Sequence, residues 1–270
     1  MPAYDHAMAE RTLHPHQNAV IDRRTLATDF RALAALLRPG MRVLDCGCGA
    51  AAMTIGMAEA VGPRGYALGV DHNPHFIERA RELYAGQPNL EFRLSPLEAL
   101  DDVDHFDVVA AARTLQWMPK AVEALHAMVR AAKPGGLVVV LDYNHARIRW
   151  EPEPPASMRR FMDAWLGWRA AEGMDNEIAD HLPAMFEAAG LEDIRLEPQH
   201  EPVRKPDRLF AREAAIWANM TDVHGPSAIT AGLLTEDERL KAGREFRDWI
   251  AGPGQFQEMY LLACIGRKPS

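Results

Sequence analysis

Residues 43–50 read Val43-Leu44-Asp45-Cys46-Gly47-Cys48-Gly49-Ala50, a short apolar run that opens into a glycine loop. Because glycine adopts backbone conformations that other residues avoid, Gly47 and Gly49 predict a tight turn whose backbone approaches a ligand. The alanine-rich residues 51–61 are typical of a helix, and the first N–H groups of that helix would face the same ligand. The stretch therefore predicts a strand, a turn and a helix around a binding site.

Strand-like and helical segments alternate outward from this stretch. Strands that alternate with helices of about 10–15 residues predict crossover connections, and hence a parallel sheet. The predicted strands are residues 41–45, 66–70, 90–94, 105–110 and 137–141, and the predicted helices are residues 17–37, 51–61, 74–85 and 120–132.

The pattern changes after residue 145, where a proline-rich link at 150–155 precedes further helices. Phe161, Trp165 and Trp168 are spaced by four and three residues, which usually indicates a helix face packed on its own domain. Aromatic walls of this kind also line pockets, so these segments predict a cap around a small ligand. The later predicted helices are residues 157–172, 177–189, 207–220 and 235–250, and the later strands are residues 191–196 and 259–265.

The composition limits the partners and the compartment. Thirty basic and 38 acidic residues give a formal net charge of −8, so no global positive field is expected to attract nucleic acid. Three cysteines and no secretory signal favour a reducing, cytoplasmic location. No apolar run approaches the roughly 18 residues typical of a membrane span. Oligomeric state cannot be read from the sequence.

Two acidic residues define the kind of ligand. Asp71 ends the second predicted strand, roughly 20 residues after the glycines, where an acid can bind both ribose hydroxyls. Asp45 stands two residues before the first glycine, where it would repel a pyrophosphate but suit a cationic amino-acid group. The residues favour a nucleoside with such a group. A nucleotide-dependent oxidoreductase, or an unrelated α/β protein with a glycine turn, remains an alternative.

Four landmarks between residues 41 and 145 resemble those of the class I S-adenosylmethionine-dependent methyltransferase family. The resemblance implies an α/β, Rossmann-like, seven-stranded, mostly parallel sheet with helical cap insertions. Its last strand, residues 259–265, would run antiparallel beside residues 191–196. The landmarks are residues 43–50, Gly69-Val70-Asp71, Phe106-Asp107-Val108-Val109 and Lys133-Pro134-Gly135-Gly136.

The same resemblance implies a function and a division of the chain. S-adenosylmethionine would donate a methyl group to an O, N or C nucleophile of a small molecule by in-line displacement, mainly through proximity. A general base is optional, and a protein that binds the cofactor without transfer is an alternative. The implied segments are an N-terminal helical lid at 1–40, the cofactor-binding core at 41–145, cap segments at 146–175 and 201–254, and completion of the core sheet by 176–200 and 255–270.

The resemblance also assigns cofactor-binding residues. The glycine loop would hold the methionine part, Asp71 the ribose, and His72 would flank the adenine. Many relatives carry an acid after the third strand, where this chain has Leu-Ser-Pro-Leu-Glu at 94–98, so Ser95 or the backbone of Leu97 would meet the adenine amino group. Arg113 would contact the cofactor carboxylate or serve as a surface residue. The implied set is Asp45, Gly47, Cys48, Gly49, Asp71, His72, Ser95, Leu97 and Arg113.

The acceptor would lie over the ends of the fourth and fifth strands. His145 follows a buried strand at that edge and is the candidate base, although a lone loop histidine is more often structural. Two further lid candidates are His16 and Arg24. The paired His14 and His16 lack nearby acids, so no metal site is expected. The implied substrate-contacting residues are Tyr4, His14, Gln116, Trp117, Tyr143, Asn144 and Trp165.

Overall fold

The computed structural model describes residues 23–270 and divides into two compact units. The first unit contains the described residues up to Asp142, together with Ala179–Gln199 and Leu262–Ser270. The second unit contains Tyr143–Ile178 and His200–Leu261. In the described residues, no helix combines the length and apolar character needed to cross a bilayer.

The strands, in chain order, are β1 (Arg42–Cys46), β2 (Tyr66–Asp71), β3 (Leu90–Leu94), β4 (Phe106–Ala112), β5 (Ala132–Tyr143), β6 (Arg149–Glu151), β7 (Glu192–Pro198), β8 (Glu201–Arg204), β9 (Phe256–Met259) and β10 (Leu261–Arg267). The α-helices are α1 (Leu26–Asp29), α2 (Arg31–Ala34), α3 (Thr54–Val61), α4 (Pro74–Leu83), α5 (Ala121–Ala131), α6 (Ala156–Ala171), α7 (Ile178–Ala188), α8 (Phe210–Val223), α9 (Gly225–Thr230) and α10 (Glu236–Ala251). Short 3₁₀ turns occupy Leu97–Ala99, Leu115–Trp117 and His145–Arg147.

The first unit is built on a seven-stranded sheet in the order β3-β2-β1-β4-β5-β10-β7. Strands β1 to β5 pair in parallel, and β10 pairs antiparallel with β7. This confirms the predicted mostly parallel sheet with an antiparallel last strand. The strand order reverses between β1 and β4, and ligands of open α/β sheets bind at such a reversal, outside the carboxyl ends of the strands.

The second unit has its own three-stranded antiparallel sheet, in the order β6-β9-β8. The sequence did not predict this sheet, and residues 255–260 were wrongly assigned to the core sheet. Strand β9 belongs to the small sheet, and the core strand begins at Leu261. Residues 259–265 form one apolar run in sequence, so the change of sheet at Tyr260 depends on strand pairing and leaves no local signal.

The predicted helix over residues 17–37 is also interrupted. Its described part consists of α1 and α2, separated by Phe30, whose φ of −145° and ψ of 57° are not helical. The Asp29 carboxylate accepts a hydrogen bond from the Thr25 backbone N–H at 2.8 Å. This bond caps the N-terminal end of α1, where Thr25 is the N-cap residue.

Candidate functional site

The glycine loop begins where β1 ends and is tied to β2. The N–H groups of Gly47 and Cys48 both donate to the Val70 carbonyl, at 2.8 and 3.0 Å. Gly47 has a φ of +76°, and a Cβ there would lie 2.5 Å from the Thr114 side chain. Only glycine therefore fits this position without strain or a clash. The loop is the predicted tight turn, placed next to the strand reversal.

Asp71 links the loop to the end of β2. Its Oδ2 accepts a hydrogen bond from the Gly49 N–H at 3.0 Å, and its Oδ1 accepts one from the Asn73 N–H at 2.9 Å. The residue is 6% exposed. A carboxylate has about four lone-pair sites, so these two bonds leave acceptor capacity for two hydroxyl groups. Asp71 can thus position the loop and bind a ribose at the same time.

Asp45 lies on the other side of the loop and is 2% exposed. Its Oδ2 accepts a hydrogen bond from the Thr54 hydroxyl at 2.6 Å. Burial raises the pKa of the Asp45 carboxyl from 3.8 to about 6; the Thr54 hydrogen bond lowers this pKa, and the charge of Asp71 raises it. A buried carboxylate with a raised pKa is stabilised by a cation, which favours its charged form.

The cysteines of the loop are buried, and burial raises the pKa of both the Cys46 and the Cys48 thiol well above the usual range. A Cβ at Gly69 would lie 2.9 Å from the Cys48 sulfur, so this glycine makes room for the thiol. The side chains of Cys46 and Cys48 are therefore packing groups in the thiol form. The predicted cofactor-binding role of Cys48 stays a prediction.

The residues predicted to meet the adenine follow β2 and β3. His72 Nδ1 lies 3.4 Å from Asp71 Oδ1, and more than half of the His72 side chain is exposed. The Ser95 N–H donates to the Asp71 carbonyl at 2.9 Å, and its hydroxyl donates to the Pro96 carbonyl. Leu97 is buried at the start of a 3₁₀ turn. Their roles toward adenine stay predictions.

Arg113 follows β4 with a φ of +58° and is buried. Its guanidinium donates to the Asp29 carbonyl at 3.2 Å, which ties α1 to the end of β4. Because the residue is buried, the expectation of a solvated surface residue is wrong. Contact with a cofactor carboxylate stays a prediction.

The other predicted contacts in the first unit are Gln116 and Trp117, both in the 3₁₀ turn after β4. The Gln116 side chain is buried, with its amide donating to the Arg113 carbonyl at 3.2 Å. The Gln116 N–H donates to Asp142 Oδ2 at 3.3 Å. These bonds fix the turn against the end of β5.

In the second unit, His145 lies among aromatic rings. It stacks on Tyr143 at 5.3 Å and meets Trp165 edge-on at 5.0 Å between ring centroids. Burial, and then the charges of Arg169 and His224, lower the pKa of His145 well below its usual range. The ring is therefore neutral at pH 7, which is the form that can accept a proton.

The remaining residues predicted to contact the substrate either bond to or pack against other residues of the fold, or lie outside residues 23–270. Asn144 caps the 3₁₀ turn, its side chain accepting from the Ala146 N–H at 2.9 Å. Trp165 is fully buried and packs against Trp217 with ring centroids 5.6 Å apart. Tyr4, His14 and His16 lie outside the described residues. Within residues 23–270, no cluster of three or more His, Cys, Asp or Glu side chains could hold a metal.

Sequence reasoning missed three residues that shape the loop. Thr54 bonds to Asp45, Asn73 bonds to Asp71, and Thr114 fills the space in front of Gly47. None stands within the glycine motif, and threonine and asparagine are common surface residues. Only Asn73, directly before Pro74, carried a signal, since Asn followed by Pro is typical of a helix start.

Comparisons with known proteins agree with this geometry. A family model described as a methyltransferase domain matches residues 37–188, more than half of the chain. The ubiquinone/menaquinone biosynthesis C-methyltransferase UbiE of Burkholderia vietnamiensis is 33% identical over 184 residues, covering 62% of this chain and 73% of that protein. The arsenite methyltransferase of Halobacterium salinarum is 31% identical over 170 residues, covering 62% of this chain, which spans 41% of that relative.

Among solved structures, the YcgJ protein from Bacillus subtilis matches with a TM-score of 0.56 and 19% sequence identity. The match covers 89% of this chain and 97% of that one and shows a similar fold. The sheet and its glycine loop define a Rossmann-like nucleoside-binding protein. The chain belongs to the class I S-adenosylmethionine-dependent methyltransferases. S-adenosylmethionine is its methyl donor, and nothing supports an oxidoreductase.

Proposed function

We propose that this methyltransferase binds its cofactor between Asp45 and Asp71 and methylates a small organic acceptor. The observation that carries the proposal is the pair of buried carboxylates on either side of the glycine loop. A bound cation would stabilise the charged form of Asp45, whose pKa is raised by burial, and Asp71 retains acceptor capacity for two hydroxyl groups. This pair fits an ammonium group at one end of the ligand and a ribose at the other.

The chain's own groups then orient and enclose the reactants. Asp45 would take the α-ammonium group and Asp71 the ribose hydroxyls, and the glycine loop would run between these two contacts. The cofactor supplies a methyl group on a sulfonium, which leaves as a neutral thioether when the acceptor's electron pair forms the new bond. Holding both reactants in line accounts for much of the rate of such a displacement.

The cysteines favour an organic acceptor over arsenite. Trivalent arsenic is a soft centre, which thiolates bind best. All three cysteines of the chain, Cys46, Cys48 and Cys264, are buried. Burial also raises the pKa of the Cys264 thiol to about 12, so none of the three supplies a ready thiolate. We therefore favour a hydroquinone-like acceptor, because the UbiE relative is named as a C-methyltransferase of ubiquinone and menaquinone biosynthesis.

Two measurements test the proposal. Calorimetric titration should show binding of S-adenosylmethionine and S-adenosylhomocysteine but not of NAD. Incubation with labelled S-adenosylmethionine should then methylate a reduced naphthoquinone or benzoquinone in preference to arsenite. Preference for NAD would overturn the cofactor site. Faster methylation of arsenite than of either hydroquinone would overturn the acceptor class.

Asp45 makes cofactor binding depend on pH. Burial raises the pKa of the Asp45 carboxyl to about 6, so the protonated carboxyl contributes to the stability of the fold. This contribution is fully present below pH 3.8 and is lost as the pH rises through 6. A cationic ligand requires the ionised form, so affinity for S-adenosylhomocysteine should rise between pH 4 and 6 and level off above. We expect the dissociation constant to be about tenfold higher at pH 5 than at pH 7.

The matched controls for this pH dependence are two Asp→Asn variants. Asp45→Asn should bind weakly with a flat profile between pH 4.5 and 7. Asp107→Asn should keep the wild-type profile, because Asp107 pairs with Lys133 at 2.6 Å, away from the loop, and its pKa is lowered rather than raised. A wild-type profile that is already flat would contradict the assignment of Asp45.

A further inference from the structure

Thr54 lies in the first turn of α3, and the structure gives its hydroxyl a specific partner. The hydroxyl donates to Asp45 Oδ2 at 2.6 Å, and both side chains are buried. A hydroxyl has one hydrogen, so this bond commits the donor of Thr54 to the carboxylate. The contact joins the end of β1 to the start of α3 across the glycine loop.

The surroundings of Asp45 otherwise disfavour a charge. Burial and the neighbouring carboxylate of Asp71, at the end of β2, both oppose ionisation. The thiols of Cys46 and Cys48 are buried and neutral, because burial and the charge of Asp45 raise their pKa values. Among residues 23–270, the Thr54 hydroxyl is thus the group that favours the charged carboxylate before any ligand arrives.

We propose that Thr54 is a positioning residue for cofactor binding: its hydroxyl holds the Asp45 carboxylate in the ionised, oriented form that receives the cofactor's ammonium group. This inference rests on the proposed function. Hydrogen bonds to charged groups are stronger than those between neutral groups, so a carboxylate gains more from Thr54 than a protonated carboxyl does. Thr54 would accordingly set the pH above which the site binds the cofactor.

The test compares Thr54→Val with Thr54→Ser. Valine keeps the shape of threonine without its hydroxyl, whereas serine keeps the hydroxyl. For each protein, the dissociation constant of S-adenosylhomocysteine is measured between pH 4.5 and 7.5, and the Asp45 carboxyl is titrated without ligand by ¹³C NMR. We expect Thr54→Val to move both midpoints up by about one pH unit, so that affinity at pH 6 falls several-fold with a smaller loss at pH 7.5.

Two controls separate this role from simple packing. Thr221→Val makes the same change at another buried threonine, whose hydroxyl donates to the Ala218 carbonyl at 2.7 Å in the second unit. It should leave both midpoints unchanged. Thr54→Ala supplies a second hydroxyl-free variant if valine perturbs folding, and Thr54→Ser should restore the wild-type midpoints.

The outcomes distinguish this inference from the proposed function. If the wild-type protein does not bind S-adenosylhomocysteine, or Asp45→Asn binds it as well as wild type, the proposed function fails and this inference fails with it. If Asp45 is required but Thr54→Val leaves both midpoints in place, only the role of Thr54 is overturned. An equal loss of affinity at every pH, without a midpoint shift, also overturns it.

Discussion

Replacing Asp71 by asparagine should weaken S-adenosylhomocysteine binding by at least about 100-fold, or about 3 kcal/mol. Both carboxylate oxygens accept backbone N–H groups, from Gly49 and Asn73. An asparagine offers one oxygen and one NH₂ group, so one of these two N–H groups would face a donor. The loop would lose a tie to β2, and the ribose would lose a charged acceptor. Isothermal titration calorimetry at pH 7.5 measures the loss.

The control for Asp71→Asn is Asp222→Asn in the second unit. Asp222 pairs with Arg239 at 2.8 Å and Arg247 at 2.9 Å, and it takes no part in the proposed site. This variant should bind S-adenosylhomocysteine with the wild-type affinity. An Asp71→Asn protein that is folded by circular dichroism and binds within threefold of wild type would show that Asp71 does not hold the ribose.

Replacing Gly47 by alanine should lower the free energy of unfolding by about 2–5 kcal/mol and abolish detectable cofactor binding. Holding an alanine at a φ of +76° costs about 1–2 kcal/mol. Its Cβ would also lie 2.5 Å from Thr114, and such overpacking typically costs about 1–3 kcal/mol. Urea denaturation, followed by circular dichroism, gives the change in stability.

Two other glycines allow the cost of backbone strain to be measured separately from the cost of the clash with Thr114. Gly40 has a φ of +90° but no heavy atom within 4 Å of an added Cβ, so Gly40→Ala carries the backbone strain alone. Gly86 has neither feature, and Gly86→Ala should be neutral or slightly stabilising. In the Gly47→Ala background, Thr114→Ala should recover about 1–2 kcal/mol. A Gly47→Ala variant no less stable than Gly40→Ala would rule out the clash.

The sequence by itself determined the order of strands and helices in the core, the position of the loop and the kind of cofactor. These features depend on local properties. Apolar periodicity distinguishes β1 and β2 from the helices between them, and the left-handed backbone of Gly47 selects glycine. Asp45 and Asp71 could be proposed as ligand-binding residues because they stand at strand ends, and parallel strands bring those ends to one edge of the sheet.

Tertiary structure alone decided the rest. The pairing of β9 in the small sheet could not be predicted, because its partners β6 and β8 lie about 50–110 residues away in sequence. Strands this short also show too little alternation to be recognised. The burial of Arg113 likewise depends on a distant segment, α1. The bond from Thr54 to Asp45 joins residues only nine apart, but it also depends on packing, because α3 must lie against β1 for it to form. Local sequence defines the loop and its two acids, and the packing of helices and strands decides which side chains these acids contact.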